Sequence, residues 1–383
     1  MTNILYLHAG AEMYGADKVL LDLLKNLDRK KYNPYVILPN DGVLVDALKK
    51  NNIDVEIVPY PIMRRKIFNL KGIIKYFYEY VKYSKRLLKI AKNKNIDLIH
   101  TNTAAVMEGV YISKKMKIPQ IWNIHEIIMR PKIVFKATSF IIAKNSKIVI
   151  TDSNAVKVHL ESSKFFNNNI RVIYNGVDSK DFNPNNESEY LKKEFSIPKN
   201  SIVIGMMGRV NAWKGQKDFV QAANIIMSKY PNVYTMLVGS AFEGEEWRVE
   251  ELKEYILGSP YNDRIILEGY RNDSEGIYKL YDILVLPSTN PDPLPTVVLE
   301  AMATGKPIIG YKHGGICEMV DEGHNGLLAE VNKPEDLADK IEILLENDEL
   351  RKKMGENSRI RMLNMFSVKS YVENFQNLYD SLM

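Results

Sequence analysis

Leu286-Pro-Ser-Thr-Asn-Pro-Asp292-Pro-Leu-Pro-Thr296-Val-Val-Leu-Glu300-Ala-Met-Ala-Thr-Gly-Lys-Pro-Ile-Ile-Gly310 holds, in one stretch, the pattern that decides the fold. The apolar run Ile283–Leu286 reads as a buried strand, the prolines that follow as a loop, and Thr296 as the first residue of a helix. A strand that hands its chain through a loop to a helix start is the repeating unit of an open α/β sheet, and the carboxyl edge of such a sheet is where ligands bind. The N–H groups of Thr296, Val297 and Val298, with the positive end of the helix dipole, suit a diphosphate. Asp292 in the loop and Glu300 in the helix can border one pocket, where carboxylates accept charge-assisted hydrogen bonds from sugar or ribose hydroxyls. Acidic residues near a helix start also serve as plain dipole partners, so the pair alone leaves both roles open.

Outward from this stretch, strand-like and helix-like runs alternate through the whole chain. The first half offers strands at Ile4–His8, Tyr35–Leu38, Val55–Val58, Leu98–Thr101, Gln120–Ile124, Ile148–Thr151 and Val172–Tyr174. Between them, Ala16–Leu27 and Leu70–Lys92 carry helical periodicity. The polar, turn-forming run Asn183–Glu189 reads as a linker. A second alternation follows, with strands at Ile202–Gly208, Tyr234–Gly239, Ile265–Gly269, Ile283–Pro287 and Pro307–Gly310, and closing helices at Glu335–Glu346, Glu349–Leu363 and Val368–Leu382. Alternating β and α of this kind means parallel sheets with helical crossovers. The expectation is α/β, two Rossmann-like doubly wound domains over residues 1–182 and 183–365, with a helix at about 366–383 packing back on the first.

Length agrees, since 383 residues exceed what one core usually supports. No uncharged apolar stretch is long enough to span a bilayer, and the N-terminus lacks a basic segment and cleavage site. With a single cysteine, Cys317, no internal disulfide or thiolate metal site can form. These features predict a cytoplasmic location. The net charge of +5 hides an asymmetry: residues 1–182 carry 30 Lys+Arg against 16 Asp+Glu, and residues 183–383 carry 22 against 31. Between Arg64 and Lys94, eleven basic residues meet only Glu79, and Phe68, Tyr76, Phe77, Tyr78, Tyr80 and Tyr83 are interleaved. Aromatics among cations suit the headgroup region of an anionic membrane, each nearby cation adding roughly 1 kcal/mol. The expected partner of residues 64–94 is thus the inner face of the cell membrane; a solvated basic helix face is the plain alternative. Nucleic acid is not an expected partner.

Gly208-Arg209-Val-Asn-Ala-Trp-Lys214-Gly215 follows its strand directly, so Arg209 and Lys214 emerge at a strand's carboxyl end. Two fixed cations there can neutralise a diphosphate leaving group, and the flanking glycines suit a backbone that approaches a ligand closely. Taken with Asp292, seven residues, then Glu300-Ala-Met-Ala-Thr-Gly-Lys-Pro, this half resembles the C-terminal domain of retaining glycosyltransferases of the GT-B fold, specifically glycosyltransferase family four. That family pairs two glutamates across seven residues, and here the first is an aspartate, one methylene shorter.

The resemblance implies two Rossmann-like domains that close on a sugar-nucleotide donor at the cleft between them. By it, Glu300 binds the ribose hydroxyls and Asp292 the donor sugar, while Gly208, Arg209, Lys214 and Gly215 grip the diphosphate. Gly269-Tyr270-Arg271 resembles the turn whose backbone reads the nucleobase. Leu294, Thr296 and Val297 fall at the helix start that completes the donor site. In the first half, His8-Ala-Gly10-Ala11-Glu-Met-Tyr14-Gly15-Ala-Asp is similar to the family's glycine-rich first loop, placing Gly10, Ala11 and Tyr14 at the acceptor and Gly15 at the diphosphate. His125, in Trp122-Asn-Ile-His125-Glu, matches a histidine beside the transferring sugar; alone, it could equally be a satisfied core histidine.

The implied activity is retaining transfer of a sugar from a UDP- or GDP-sugar to a saccharide or lipid-linked saccharide, in bacterial surface polysaccharide synthesis. His125, Arg209, Lys214 and Asp292 would be its catalytic groups. The nucleotide-sugar is a substrate, and no cofactor is expected. The six histidines offer no metal-ligand spacing and no Asp-x-Asp element is present, which favours a metal-independent route. A sugar-nucleotide epimerase and a sugar-nucleotide-binding protein without catalysis are the alternatives. An NAD-dependent oxidoreductase lacks its signature, since no strand precedes Gly-x-Gly-x-x-Gly.

Overall fold

The apolar runs of the first half pair as a wholly parallel seven-stranded sheet in the computed structural model, which describes residues 1–64, 67–129, 131–166 and 168–383. Arg65 and Lys66 of the basic segment lie outside the described residues. The strands are β1 (Thr2–Leu7), β2 (Tyr32–Leu38), β3 (Asp54–Ile57), β4 (Leu98–Thr101), β5 (Gln120–Ile124), β6 (Ile148–Thr151) and β7 (Ile170–Val172), in the spatial order β3-β2-β1-β4-β5-β6-β7. Parallel strands covered on both faces must be apolar throughout, and Ile4, Leu5, Tyr6 and Leu7 of β1 are all fully buried. The crossovers carry α1 (Gly15–Asn26), α2 (Val43–Lys50), α3 (Leu70–Asn93), α4 (Glu108–Met116), α5 (Lys132–Asn145) and α6 (Asn154–Glu161).

The second half repeats the plan. After α7 (Glu189–Glu194) come β8 (Ile202–Met207), α8 (Gln216–Lys229), β9 (Val233–Val238), α9 (Trp247–Leu257), β10 (Ile265–Glu268), α10 (Ser274–Leu280), β11 (Ile283–Leu286), α11 (Thr296–Ala303), β12 (Ile308–Tyr311), α12 (Ile316–Met319), β13 (Gly326–Ala329), α13 (Pro334–Glu346) and α14 (Asp348–Met365). The six strands are again all parallel, in the order β10-β9-β8-β11-β12-β13. Each sheet therefore reverses its winding once, between β1 and β4 and between β8 and β11. Loops leaving those strand pairs diverge and open a crevice at the carboxyl edge. The residues after β1, β4, β8 and β11 sit at these crevices.

The chain divides into two compact units, Met1–Gly176 with Val368–Met383, and Val177–Ser367. At the crossing, the Val177 N–H donates to the Phe366 carbonyl at 3.0 Å, so the outgoing and returning segments are tied together. The last helix, α15 (Val368–Asp380), packs against α1 through Tyr371, Val372, Phe375, Leu378 and Tyr379. Its Tyr379 hydroxyl lies 3.0 Å from the Tyr6 hydroxyl and 2.8 Å from His100 Nδ1. Burial pushes His100 down to about 3, so this ring is neutral.

Three strands differ most from the sequence expectation. β2 begins at Tyr32, not Tyr35, because its ladder with β1 already pairs Thr2 with Tyr32. β7 begins at Ile170, not Val172, because its ladder partner β6 is short and its register pairs Thr151 with Val172. β13 was not expected at all: its four residues follow the polar turn Asp321–Asn325 and are a strand only through pairing with β12.

Glu108, at the start of α4, is fully buried. Its Oε2 accepts the Met107 N–H at 3.1 Å, while Oε1 has no hydrogen-bond partner among the described residues. Burial pushes its carboxyl up to about 8 from an ordinary 4.5. The folded chain then keeps a proton that the unfolded chain releases, so this residue lowers stability by about 1.4 kcal/mol per pH unit as pH rises between those values. Glu108→Gln should flatten that slope and raise the melting temperature at pH 8 more than at pH 5. Equal slopes for variant and wild type in thermal scans would overturn the assignment.

Candidate donor and acceptor sites

In the second unit, the β8 loop and the β11 loop are bonded to each other. The Thr289 N–H donates to the Trp213 carbonyl at 2.7 Å, and Asn211 Oδ1 accepts the N–H groups of Trp213 and Lys214 at 3.0 and 2.9 Å. Lys214 Nζ thereby reaches Asp292 Oδ2 at 2.9 Å, with the two side chains only 15% and 14% exposed. The Ser288 hydroxyl donates to the same carboxylate oxygen at 2.5 Å. Gly215 takes a left-handed φ of 81°, and a Cβ there would stand 1.8 Å from the Pro287 carbonyl oxygen, so no other residue lets the loops approach this closely.

Arg209 leaves the end of β8 with its guanidinium carbon 3.4 Å from the Phe242 ring centroid, a stacking that fixes the plane of the cation. Glu300 lies inside α11, is 4% exposed, and accepts the Tyr278 hydroxyl at 2.6 Å. At the start of α11, the Val298 N–H is already bonded to the Pro295 carbonyl at 3.0 Å. This corrects the expectation of three open amides: among the described residues, Thr296 and Val297 are the first-turn donors without a hydrogen-bond partner. Leu294 is buried, so its side chain belongs to the packing beneath the loop.

After β10, the amides of Gly269 and Tyr270 donate to Glu268 Oε1 and Ser240 Oγ, both at 3.0 Å. The Tyr270 ring is exposed. Arg271 spreads its guanidinium between Glu194 (2.5 Å) and Asp273 (2.8 Å), which ties this turn to α7. Its charge is spent inside the unit.

In the first unit, the glycine-rich loop wraps one carboxylate. Asp17 Oδ2 accepts the N–H groups of Glu12 and Tyr14, each at 3.1 Å, and Oδ1 lies 2.5 Å from His8 Nε2. Gly10, Tyr14 and Gly15 are half-buried along this loop. Ala11 is not available to an acceptor in the way expected: it is fully buried in the core, and its carbonyl accepts the Leu44 N–H at 3.1 Å. His125 follows β5 with its side chain 8% exposed; Nδ1 lies 3.4 Å from Asp152 Oδ2, and Nε2 lies 3.2 Å from Asn102 Oδ1. Burial alone would lower the His125 pKa, but the Asp152 carboxylate outweighs it and holds the ring protonated above the usual histidine range. Glu126 pins the same loop, accepting from the Thr103 hydroxyl and from the Ala104 and His125 amides.

The basic segment forms the long helix α3, whose inner residues Ser84, Leu87 and Ala91 are buried while Leu70, Ile74, Phe77 and Tyr78 are exposed. Among the described residues no helix is long and apolar enough to cross a membrane.

Two family models match, Glycosyltransferase Family 4 over residues 13–181 and Glycosyl transferases group 1 over residues 187–361. The chain belongs to glycosyltransferase family four. Among the curated relatives of this family-four enzyme, an Escherichia coli UDP-Gal:alpha-D-GlcNAc-diphosphoundecaprenol alpha-1,3-galactosyltransferase is 25% identical, with 94% of this chain and 95% of that protein covered. A Campylobacter jejuni N,N'-diacetylbacillosaminyl-diphospho-undecaprenol alpha-1,3-N-acetylgalactosaminyltransferase is 27% identical over 98% of this chain and 97% of its own. Among solved structures, Anabaena HepE in complex with UDP and glucose superposes with a TM-score of 0.86 at 25% identity, covering both chains fully. Both units of the family-four chain have the parallel-sheet architecture of that fold.

Several groups around the candidate sites of the two units, each taken by itself, carry no signal in the local sequence. His313 Nε2 meets the Ser288 carbonyl at 2.5 Å, and the Gly315 N–H donates to the Asp292 carbonyl at 2.8 Å, so the loop after β12 cradles the acidic loop from below. A Cβ at Gly315 would stand 1.7 Å from the Pro293 carbonyl oxygen. Asn102, Asp152, Ser288, Phe242 and Tyr278 complete the list, each brought in by strand order.

Proposed function

We propose that this glycosyltransferase moves a hexose from a UDP-sugar, with retention at the anomeric carbon, onto a saccharide carried by a lipid diphosphate at an anionic membrane face. The observation that carries the reading is the Lys214–Asp292 pair beside the start of α11, with Arg209 stacked on Phe242 at the neighbouring strand end. As the bond between the anomeric carbon and the β-phosphate oxygen breaks, negative charge develops on that phosphate. Lys214, Arg209 and the Thr296 and Val297 amides offset it, with no metal ion in the step. The acceptor oxygen bonds to the same face of the sugar, and its proton passes to the departing phosphate, so no protein base is required. Uridine as the nucleoside is supported by the UDP held in HepE, and a lipid diphosphate acceptor by the names of the Escherichia coli and Campylobacter relatives.

The membrane part of the reading rests on α3. Its exposed face sets Leu70, Ile74, Phe77 and Tyr78 among Lys71, Lys75, Lys82 and Lys85, and Met129 and Ile133 are exposed at the start of α5. Apolar tips within a cationic field bind anionic bilayers by insertion and by charge together.

The test is direct. The purified enzyme, incubated with UDP-hexoses and an undecaprenyl-diphosphate-linked sugar, should release UDP and extend the lipid-linked saccharide, with EDTA leaving the rate unchanged. Release of UDP without an extended product, or conversion of the sugar nucleotide alone, would defeat the reading. Vesicles of phosphatidylglycerol should sediment the protein at low salt and phosphatidylcholine vesicles should not, and Phe77→Ser with Ile74→Ser should weaken the association. Equal binding to both lipids removes the membrane clause.

A further inference from the structure

One continuous chain of hydrogen bonds, closed at its far end by an ion pair, runs across the carboxyl edge of the first sheet. It starts at Asp17 on α1 and passes through His8 after β1, Asn102 after β4 and His125 after β5, to Asp152 after β6. The links are Asp17 Oδ1 to His8 Nε2 (2.5 Å), His8 Nδ1 to Asn102 Nδ2 (3.2 Å), Asn102 Oδ1 to His125 Nε2 (3.2 Å) and His125 Nδ1 to Asp152 Oδ2 (3.4 Å). Asn123 Nδ2 donates to the same Asn102 Oδ1 at 3.0 Å. The backbone of His8 is held too, since the Tyr60 hydroxyl donates to its carbonyl at 2.5 Å.

The chain has one polarity. An amide nitrogen only donates, so His8 Nδ1 must accept, and its proton therefore sits on Nε2 and is given to Asp17. An amide oxygen only accepts, so His125 must donate from Nε2. Were His8 to carry its proton on Nδ1 instead, that N–H would oppose the Asn102 NH₂. Turning Asn102 over would then set its NH₂ against the donors from both Asn123 and His125. The orientation of one end is thus imposed on the other, as in cooperative side-chain networks. At the Asp17 end the same carboxylate binds the Glu12 and Tyr14 amides. The loop that carries Gly10 and Tyr14 and the ring of His125 are set by one group.

We propose that Asp17 is a positioning residue of the transfer site: it fixes the tautomer of His8 and the shape of the 10–14 loop, and through Asn102 it fixes the orientation of His125. Asp17 itself is almost fully buried, its carboxylate engaged by His8 and the Glu12 and Tyr14 amides, so it acts through these groups. The catalytic consequence rests on the proposed transfer reaction, whereas the tautomers are observable without any substrate.

The chain holds six histidines, so single His→Gln variants assign the ring signals of a ¹⁵N-histidine sample. In the wild type, long-range ¹H–¹⁵N correlation at neutral pH should show His8 protonated at Nε2 and not at Nδ1. In Asp17→Asn, the amide oxygen keeps the loop N–H bonds and the NH₂ faces His8; its proton should move to Nδ1, and the signals of His125 should shift with it. Asn102→Ala alone should leave the His8 proton on Nε2, facing Asp17, while it shifts the His125 signals through loss of the Nε2 partner; a His8 tautomer that changes in this variant overturns the proposal even if Asp17→Asn folds poorly. Turnover of a UDP-hexose by Asp17→Asn should fall by about 10- to 100-fold in kcat, the scale of a small misplacement of reacting groups, with the donor KM within about twofold. A wild-type His8 protonated at Nδ1, or His125 signals that ignore Asp17→Asn, overturns the proposal. A wild type that turns over no UDP-hexose while the spectra behave as described leaves the network standing and defeats the transfer reading.

Discussion

Alanine at Lys214 or at Arg209 is expected to slow sugar transfer by at least about 10²-fold, the loss seen when one charge-stabilising donor is removed from a transition state. The two cations work differently. Lys214 is mostly buried against Asp292, and its charge cancels that of the carboxylate. Removing it leaves Asp292 with the Ser288 hydroxyl, so the site loses a cation and also gains an uncompensated anion where a diphosphate must enter. Lys214→Ala should therefore damage UDP binding as well as kcat, and Lys214→Ala with Asp292→Asn should recover part of the binding loss. A double-mutant cycle on UDP affinity reads that coupling. Arg209 offers a flat guanidinium stacked on Phe242, and a lysine has neither the plane nor the fork needed to replace it. Arg209→Lys should then be nearly as slow as Arg209→Ala. Wild-type kcat/KM in both alanine variants would remove these residues from the mechanism.

How much of this was legible in the sequence depends on how local each signal is. The strands β8 and β11 could be read because each is an apolar run ended by glycine or proline, and β1 because Ile4–Leu7 is an apolar run; a buried parallel strand needs nothing else. Glycine 208 to glycine 215 could be read for the same reason: its cations, its glycines and the strand before it are contiguous. β13 could not, because Gly326-Leu-Leu-Ala becomes a strand only beside β12. The groups that hold the candidate site were hidden likewise. Asn102 and Asp152 close on His125 because β4, β5 and β6 lie side by side, and strand order is not written in any one segment. His313 supports the Ser288 loop from the next crossover. Ala11 and Leu294 show the opposite failure, since a loop motif does not say which of its residues turn inward, and both turn into the core. Asp17 stood in plain sight as the third residue of a helix, where an acidic side chain is ordinary; only the fold reveals that it organises the loop before it.

Glu300→Gln carries the other large expected effect, about a 10- to 150-fold loss of UDP affinity, the scale of a hydrogen bond to a charged group. The carboxylate is nearly buried within α11 and already accepts the Tyr278 hydroxyl, so its orientation is fixed before any ligand arrives. Burial and the neighbouring Glu300 carboxylate together push the Tyr278 hydroxyl far above its ordinary pKa, which keeps it a donor at every working pH. A carboxylate held in this way discriminates ligands that bring hydroxyls from ligands that do not. Glutamine preserves the shape and still accepts from Tyr278 through its amide oxygen, but it lacks the charge. The variant should keep the wild-type melting temperature without ligand and lose most of the stabilisation that UDP confers by mass action. The assignment to the ribose adds a sharper expectation. Wild type should bind UDP more tightly than 2′-deoxy-UDP, and Glu300→Gln should bind the two nearly alike. If titration calorimetry shows the full preference for UDP surviving in the variant, the ribose contact belongs to another residue.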